Sequence, residues 1–296
     1  LAIPNIISNI SVPLLSSVDT ALMGQLSALH IGAVGVGAML FNFIYWNFGF
    51  LRMGTTGITA QAFGKKDEQA ISVTLGRALL VVLVVAVSVL VLQYPIGQSS
   101  FYLMNISTAQ YELVATYFYI RIWAAPATLG LYALMGWFFG MQNVIYPLIL
   151  TIFINAINII CNVYFVNNLG MKAEGVALGT VVAQYAGCVL AFGLFWYKYR
   201  YLISSFQRQA ILEWESLKAF MALNSDIFVR TFCLVFALAF FDNQSAILGD
   251  LTLAVNGVLL QFVLWISYGV DGFAYASESI IGKYYGAKEE SKLKQA

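Results

Sequence analysis

The stretch Pro4-Asn5-Ile6-Ile7-Ser8-Asn9-Ile10-Ser11-Val12-Pro13-Leu14-Leu15-Ser16-Ser17-Val18-Asp19-Thr20-Ala21-Leu22-Met23-Gly24 is an apolar run with one carboxylate in it. Apart from His30, no other acid or base precedes Arg52, so Asp19 stands alone on its hydrophobic segment. A run of about 20 mostly apolar residues is long enough to cross a bilayer. An unpaired charge at that depth costs at least ~2.5–3.5 kcal/mol. A chain keeps such a group where it faces a watery cavity, binds a cation or exchanges a proton, which points to solute transport.

Composition extends that reading outward. The chain is 60% hydrophobic and 10% charged, with a mean hydropathy of +0.80. Soluble domains carry about 25% charged residues, so the expected class is an all-α integral membrane protein. A net charge of +1 argues against a nucleic-acid partner. Cys161, Cys188 and Cys233 lie in apolar runs without a CxxC or Cys/His cluster, which argues against a disulfide framework or a metal cofactor. No G-x-x-x-x-G-K-[ST] loop is present, so ATP does not drive the chain by itself. No nucleophile site or His cluster suggests an enzyme. No cleavable signal peptide is visible, and the apolar start at Leu1 and polar end at Ala296 suggest a piece cut at both ends from a longer protein.

A membrane-length window predicts about eight transmembrane helices, at 1–25, 32–62, 70–93, 108–139, 147–166, 174–197, 217–245 and 251–282. The turn residues Gln93-Tyr94-Pro95-Ile96-Gly97 and Asn167-Asn168-Leu169-Gly170 read as breaks. Lys65, Lys66 and Arg77 flank the second connection. Lys198, Arg200, Arg208 and Lys218 flank the sixth, and Lys283, Lys288, Lys292 and Lys294 follow the eighth. The alternate connections hold only Lys172, so the even-numbered connections are expected in the cytoplasm of a cell in whose inner or plasma membrane the chain sits. Asp19 then lies in the outer half of the first helix, roughly 10 Å below its outer end.

The pattern repeats. Ala33-Val34, Phe41 and Gly64-Lys65-Lys66-Asp67-Glu68 parallel Ala254-Val255, Phe262 and Gly286-Ala287-Lys288-Glu289-Glu290, and Asp19 falls opposite Asp242. Six helices separate the copies, which preserves orientation, so two parallel lobes are expected about an axis along the membrane normal. The predicted organisation is a first six-helix lobe at 1–200, a cytoplasmic linker at 201–216, and the first two helices of a second lobe at 217–296.

Three segments carry a family resemblance: Phe50-Leu51-Arg52-Met53-Gly54-Thr55-Thr56-Gly57 with Gln61-Ala62-Phe63-Gly64, Asn224-Ser225-Asp226-Ile227-Phe228-Val229-Arg230-Thr231, and Asp271-Gly272-Phe273-Ala274-Tyr275-Ala276-Ser277-Glu278. Over its whole length the chain resembles the multidrug and toxic compound extrusion transporters, in particular their DNA-damage-inducible branch. That resemblance implies a six-plus-six helix antiporter, monomeric in the lipid bilayer, exporting amphipathic and often cationic small organic compounds in exchange for protons or sodium. It implies that Asp19 is the coupling acid and that Asn158, Asn162 and Thr180 complete its site, with sodium as the possible bound ion and no other cofactor. Asn162 departs from the family pattern, which often has Asp there. With one carboxylate fewer, the expectation leans to protons.

Each of these residues also has a structural reading. Asp19 in a hydrophobic surrounding favours its neutral form, which suits proton uptake, yet it equally serves as a hydrogen-bonded structural acid. Asn158 and Asn162 are one turn apart and share a face with Asn155, and such amides also hold membrane helices together. Thr180 is often a packing residue. In the second lobe, Asp242, Asp271 and Glu278 are candidates, the last two being seven apart on one helix face. Asp226 and Arg230 are expected to pair, and His30 to lie in a short external connection. Arg52, Arg121 and Arg230 keep open a rival function, a flippase for lipid-linked oligosaccharides, whose pyrophosphate needs basic cavity residues. A membrane receptor is the more distant alternative.

Overall fold

The computed structural model describes residues 28–104 and 106–294. Among these residues the fold is all-α, without strands. The helices are α1 (Ala28–Asn47), α2 (Phe50–Lys65), α3 (Glu68–Val91), α4 (Gln93–Leu103), α5 (Thr108–Arg121), α6 (Ala125–Gly140), α7 (Ile145–Val163), α8 (Ala173–Tyr199), α9 (Arg208–Ile211), α10 (Trp214–Ile247), α11 (Asp250–Ala287) and α12 (Glu290–Leu293). Six spans among the described residues are long and apolar enough to cross a membrane: 32–65, 68–91, 108–140, 145–168, 173–205 and 214–241. The span expected at 1–25 lies outside the described residues, and the one expected at 251–282 is the long α11.

Two of the expected spans each consist of two helices. The second is interrupted at Phe48–Gly49, where tight turns close back on Tyr45 and Trp46. The fourth passes through a 3₁₀ turn at Ile122–Ala124 before α6, where Pro126 sits in the first turn and withholds an N–H from the ladder. A further correction concerns Gln93–Gly97, read as a break. These residues begin α4, because Pro95 falls in the first turn, where a helix leaves N–H groups unpaired anyway. Asn167–Gly170 does end a helix, with Gly170 at φ 64°.

Local chemistry sets the other boundaries. Asp67 caps α3, its carboxylate accepting from Ala70 N at 2.9 Å, with Glu68 beside the positive helix end. The repeated segments end alike: Lys66 after α2 and Lys288 after α11 are both left-handed, at φ 57° and 58°.

Packing is organised around α2, which touches α3, α6, α10 and α11. Small residues permit this. A Cβ at Gly136 would strike the carbonyl of Arg52, and one at Gly140 would strike Thr59. In membranes such close approach replaces the hydrophobic drive that water would supply. Two apolar clusters fill the interior, one around Phe41, Leu51, Phe118 and Leu129, the other around Leu134, Trp137, Phe138 and Leu150. Trp137 also donates its indole N–H to the Ile71 carbonyl at 3.1 Å, joining α6 to α3. The outer surface is apolar too: Val189, Trp196, Phe236 and Ile266 are all more than three-fifths exposed. That much uncovered hydrocarbon fits a lipid surround.

Candidate functional site

Helix α7 is apolar except for a narrow amide stripe. Ile145, Ile149, Ile152 and Ile160 face outward, whereas Asn158 and Asn162 turn inward and are 2% and 0% exposed. The i, i+4 spacing stacks the two amides one turn apart, against α8. Asn162 Nδ2 donates to Asn158 Oδ1 at 3.0 Å. Asn158 Nδ2 donates to Thr180 Oγ1 at 3.1 Å. Thr180 Oγ1 donates in turn to the Val176 carbonyl at 3.0 Å. The three residues therefore form one directional chain of hydrogen bonds running from α7 into the backbone of α8.

Gly179 makes the approach possible. A side chain there would occupy the place of Asn162 Oδ1 and press on the Asn162 backbone nitrogen, 3.2 Å away. Sequence reasoning missed this glycine, though its signal is plain: it directly precedes Thr180. Chemically, the chain offers neutral amide and hydroxyl oxygens and no charge of its own. Asp19, the acid expected beside it, lies outside the described residues. Asp242 stands within α10, five residues before that helix ends, and its side chain is likewise outside the described ones.

Asp271 and Glu278 are not part of this chain. They sit half-buried on α11, facing Arg52 of α2. The Arg52 guanidinium lies 4.0 Å over the Tyr275 ring, and its charge acts on both carboxylates. Arg230 of α10 also acts on Glu278. The expected Asp226–Arg230 pair does not form: the ion pairs among the described residues are Arg77–Glu213 at 3.8 Å and Lys292–Glu289 at 2.7 Å. Arg230 instead points Nη2 at Met53 Sδ, 3.7 Å away. Arg121 donates to the Tyr117 hydroxyl and lies 4.9 Å from the Phe41 ring centroid. His30, expected in a connection, falls in the first turn of α1.

The fold matches solved membrane transporters. A MOP superfamily transporter from Pyrococcus furiosus superimposes with a TM-score of 0.86 at 21% identity, over 100% of this chain and 66% of that one. A multidrug resistance MATE family transporter in an outward-facing conformation superimposes at 0.87 with 20% identity, over 100% and 66%. The class is thus an all-α membrane-transporter fold. The MatE family model matches residues 4–164, and the chain belongs to that family. It is 38% identical over 296 residues to the DNA damage-inducible protein F of Escherichia coli strain K12, covering 99% of this chain and 64% of that protein. It is 24% identical over 303 residues to the multidrug and toxin extrusion protein 1 of Pongo abelii, covering 100% and 52%. The chain therefore spans between about half and two thirds of the length of these two relatives.

Proposed function

We propose that the full-length protein is a secondary antiporter that exports amphipathic, often cationic organic compounds in exchange for protons. It works by alternating access between two six-helix lobes, the first at 1–200 and the second beginning at 217 after the 201–216 linker. It acts as a monomer in the inner or plasma membrane, with the basic connections in the cytoplasm. The observation that carries the coupling reading is the buried Asn162–Asn158–Thr180 chain, which holds oriented dipoles and no carboxylate. Two of its side-chain oxygens, Asn158 Oδ1 and Thr180 Oγ1, already accept N–H hydrogens, and none of the three residues carries a negative charge to offset that of a bound cation. A single acid alongside them, Asp19, suffices to take up and release a proton. The flippase alternative loses support from two of its three arginines, since Arg52 rests on Tyr275 between acids and Arg121 is seated among aromatics. Neither leaves a free basic pair for a pyrophosphate.

The test is efflux of a fluorescent organic cation from proteoliposomes holding the full-length protein. A pH gradient, acidic on the side opposite the cation's origin, is expected to drive transport that a sodium gradient does not. Transport under neither gradient overturns the antiporter reading, and transport under sodium alone overturns the proton coupling.

Gly179→Ala probes the amide chain in the same assay. The new methyl forces Asn162 away from Asn158, and a buried polar group that loses its partner costs about 1–3 kcal/mol. Helix propensity returns only about 0.5–1 kcal/mol, so we expect a folded protein whose gradient-driven efflux falls roughly tenfold, the equivalent of 1.4 kcal/mol. Wild-type efflux would separate the amide chain from coupling.

A further inference from the structure

At one end of the molecule the backbones of α2 and α11 meet, and their contact is reciprocal. A Cβ on Gly64 would strike the carbonyl oxygen of Lys283, and a Cβ on Gly286 would strike that of Gln61. A Cβ on Gly282 would come within 2.8 Å of the Ala60 Cβ. The repeat that pairs Gly64 with Gly286 also pairs Gln61 with Lys283 and Ala60 with Gly282. Each contact maps onto the other, as at a two-fold interface, with Ala60 and Gly282 on the axis. Such a seam is held by close backbone packing, with the Arg52 guanidinium over Tyr275 and Lys283 Nζ 5.9 Å from the Phe63 ring as side-chain contacts across it.

A second set of contacts adds directional hydrogen bonds beside the seam. Gln142 follows α6 with φ 60°. Its N–H bonds the Phe139 carbonyl at 2.9 Å and the Asn143 N–H bonds the Phe138 carbonyl at 2.9 Å, a helix ending at which glycine is the favoured residue. The side chain explains why glutamine stands there. Nε2 donates one hydrogen to the Ser279 carbonyl at 2.8 Å and the other to Ser279 Oγ at 2.7 Å. Ser279 Oγ donates onward to the Phe139 carbonyl at 2.6 Å. Ser279 is 1% exposed, and beside it the Phe139 and Tyr275 rings stack at 6.4 Å. Three hydrogen bonds thus fasten the end of α6 to α11 within about one helical turn of the glycine seam.

We infer that Gln142 and Ser279 form a latch that holds the α2–α11 seam closed on its lysine-rich side, and that the two lobes part there only when the latch releases. This rests on the two-lobe transport reading above. All the groups that make the latch's hydrogen bonds are neutral, so movement of the helices is enough to break and remake them. When the seam opens, water replaces each partner, and when it closes, the same bonds restore register. The close packing of Gly64, Gly282 and Gly286 permits the approach, while the latch selects one alignment.

The test uses the full-length protein in lipid with its native cysteines replaced. The Gln142→Cys, Ser279→Cys double variant is treated with a short bifunctional methanethiosulfonate, and cation efflux is followed before treatment, after it and after reduction. The latch requires cross-linking in resting membranes, near-complete loss of efflux in the cross-linked protein, and recovery on reduction. Unchanged efflux from cross-linked protein, or failure to cross-link, overturns it. A second measurement does not depend on transport: amide hydrogen exchange over residues 57–65 and 277–287, compared between wild type and Gln142→Gly. Glycine suits the left-handed helix end, so the variant removes the side chain without harming α6. Several-fold faster exchange in both segments supports the latch, and equal exchange overturns it. If neither wild type nor the untreated double variant moves the cation, the transport reading has failed, and the exchange comparison still decides the latch.

Discussion

Gly64→Leu is expected to force α2 and α11 apart and to lower the thermal midpoint of the full-length protein by several degrees, while Gly193→Leu does not lower it and raises it slightly. Both substitutions exchange a helical glycine for a good helix former, which by propensity alone favours the variant by about 0.7–1 kcal/mol. The surroundings decide the outcome. At Gly193 a Cβ meets nothing within 4 Å, and the side chain extends from the apolar outer surface of α8. At Gly64 the first added carbon already strikes the Lys283 carbonyl oxygen and comes within 2.9 Å of the Ala287 backbone nitrogen. These are main-chain atoms of a regular helix, so no rotamer change relieves the clash. Overpacking of a fitted site costs about 1–3 kcal/mol even when side chains can yield, and here the helix itself must move. Intrinsic fluorescence or size-exclusion after heating reads the difference. Equal midpoints for the two variants would show that α11 does not approach α2 this closely.

How much of this was legible from sequence depends on whether the signal was local. Helix content followed from hydropathy, because a bilayer imposes one length scale on every span. Asn158 and Asn162 were visible as a pair because four residues make one helical turn, and the hydrogen bond between them realises that spacing. Thr180 carries no such mark. It is a common helix residue 22 positions from Asn158, and only the family resemblance singled it out. The 3₁₀ turn before α6 had a readable cause in Pro126, but the apolar run continues across it, so the span looked single. Gln93–Gly97 misled because proline breaks a helix interior and is tolerated in a first turn. The Gln142–Ser279 latch was not readable, since its partners lie 137 residues apart and each is an ordinary polar residue alone. The Gly136-x-x-x-Gly140 and Gly282-x-x-x-Gly286 spacings were there to be used as signs of close helix approach. Arg52 shows the limit most clearly: its motif was evident, and its seat on Tyr275 required the fold.

Asp19→Asn is expected to reduce proton-driven efflux to the level of empty liposomes without preventing folding or substrate binding. Asparagine keeps the size and hydrogen-bonding reach of aspartate but cannot exchange a proton. The substitution also removes whatever cost the lone carboxylate carries in a hydrophobic span, at least ~2.5–3.5 kcal/mol for a charge at bilayer depth, so the variant should be no less stable than wild type. That opposition, stability kept and transport lost, is what separates a coupling acid from a structural one. A structural acid bonded to the amides of α7 would instead tolerate asparagine in transport or lose stability with it. The amide chain sharpens the contrast. Asn162 Nδ2 donates to Asn158 and Asn158 Nδ2 to Thr180, and neither an amide nor a threonine hydroxyl ionises near neutral pH, so these three residues supply no group able to titrate in place of Asp19. Asn162→Asp supplies one. In that variant a second carboxylate adds negative charge to the same oxygens, and efflux is expected to gain a response to a sodium gradient that wild type lacks. Proton-driven efflux surviving in Asp19→Asn would move the coupling group away from the first span altogether, to the half-buried carboxylates Asp271 and Glu278 that face Arg52 on the other side of the seam.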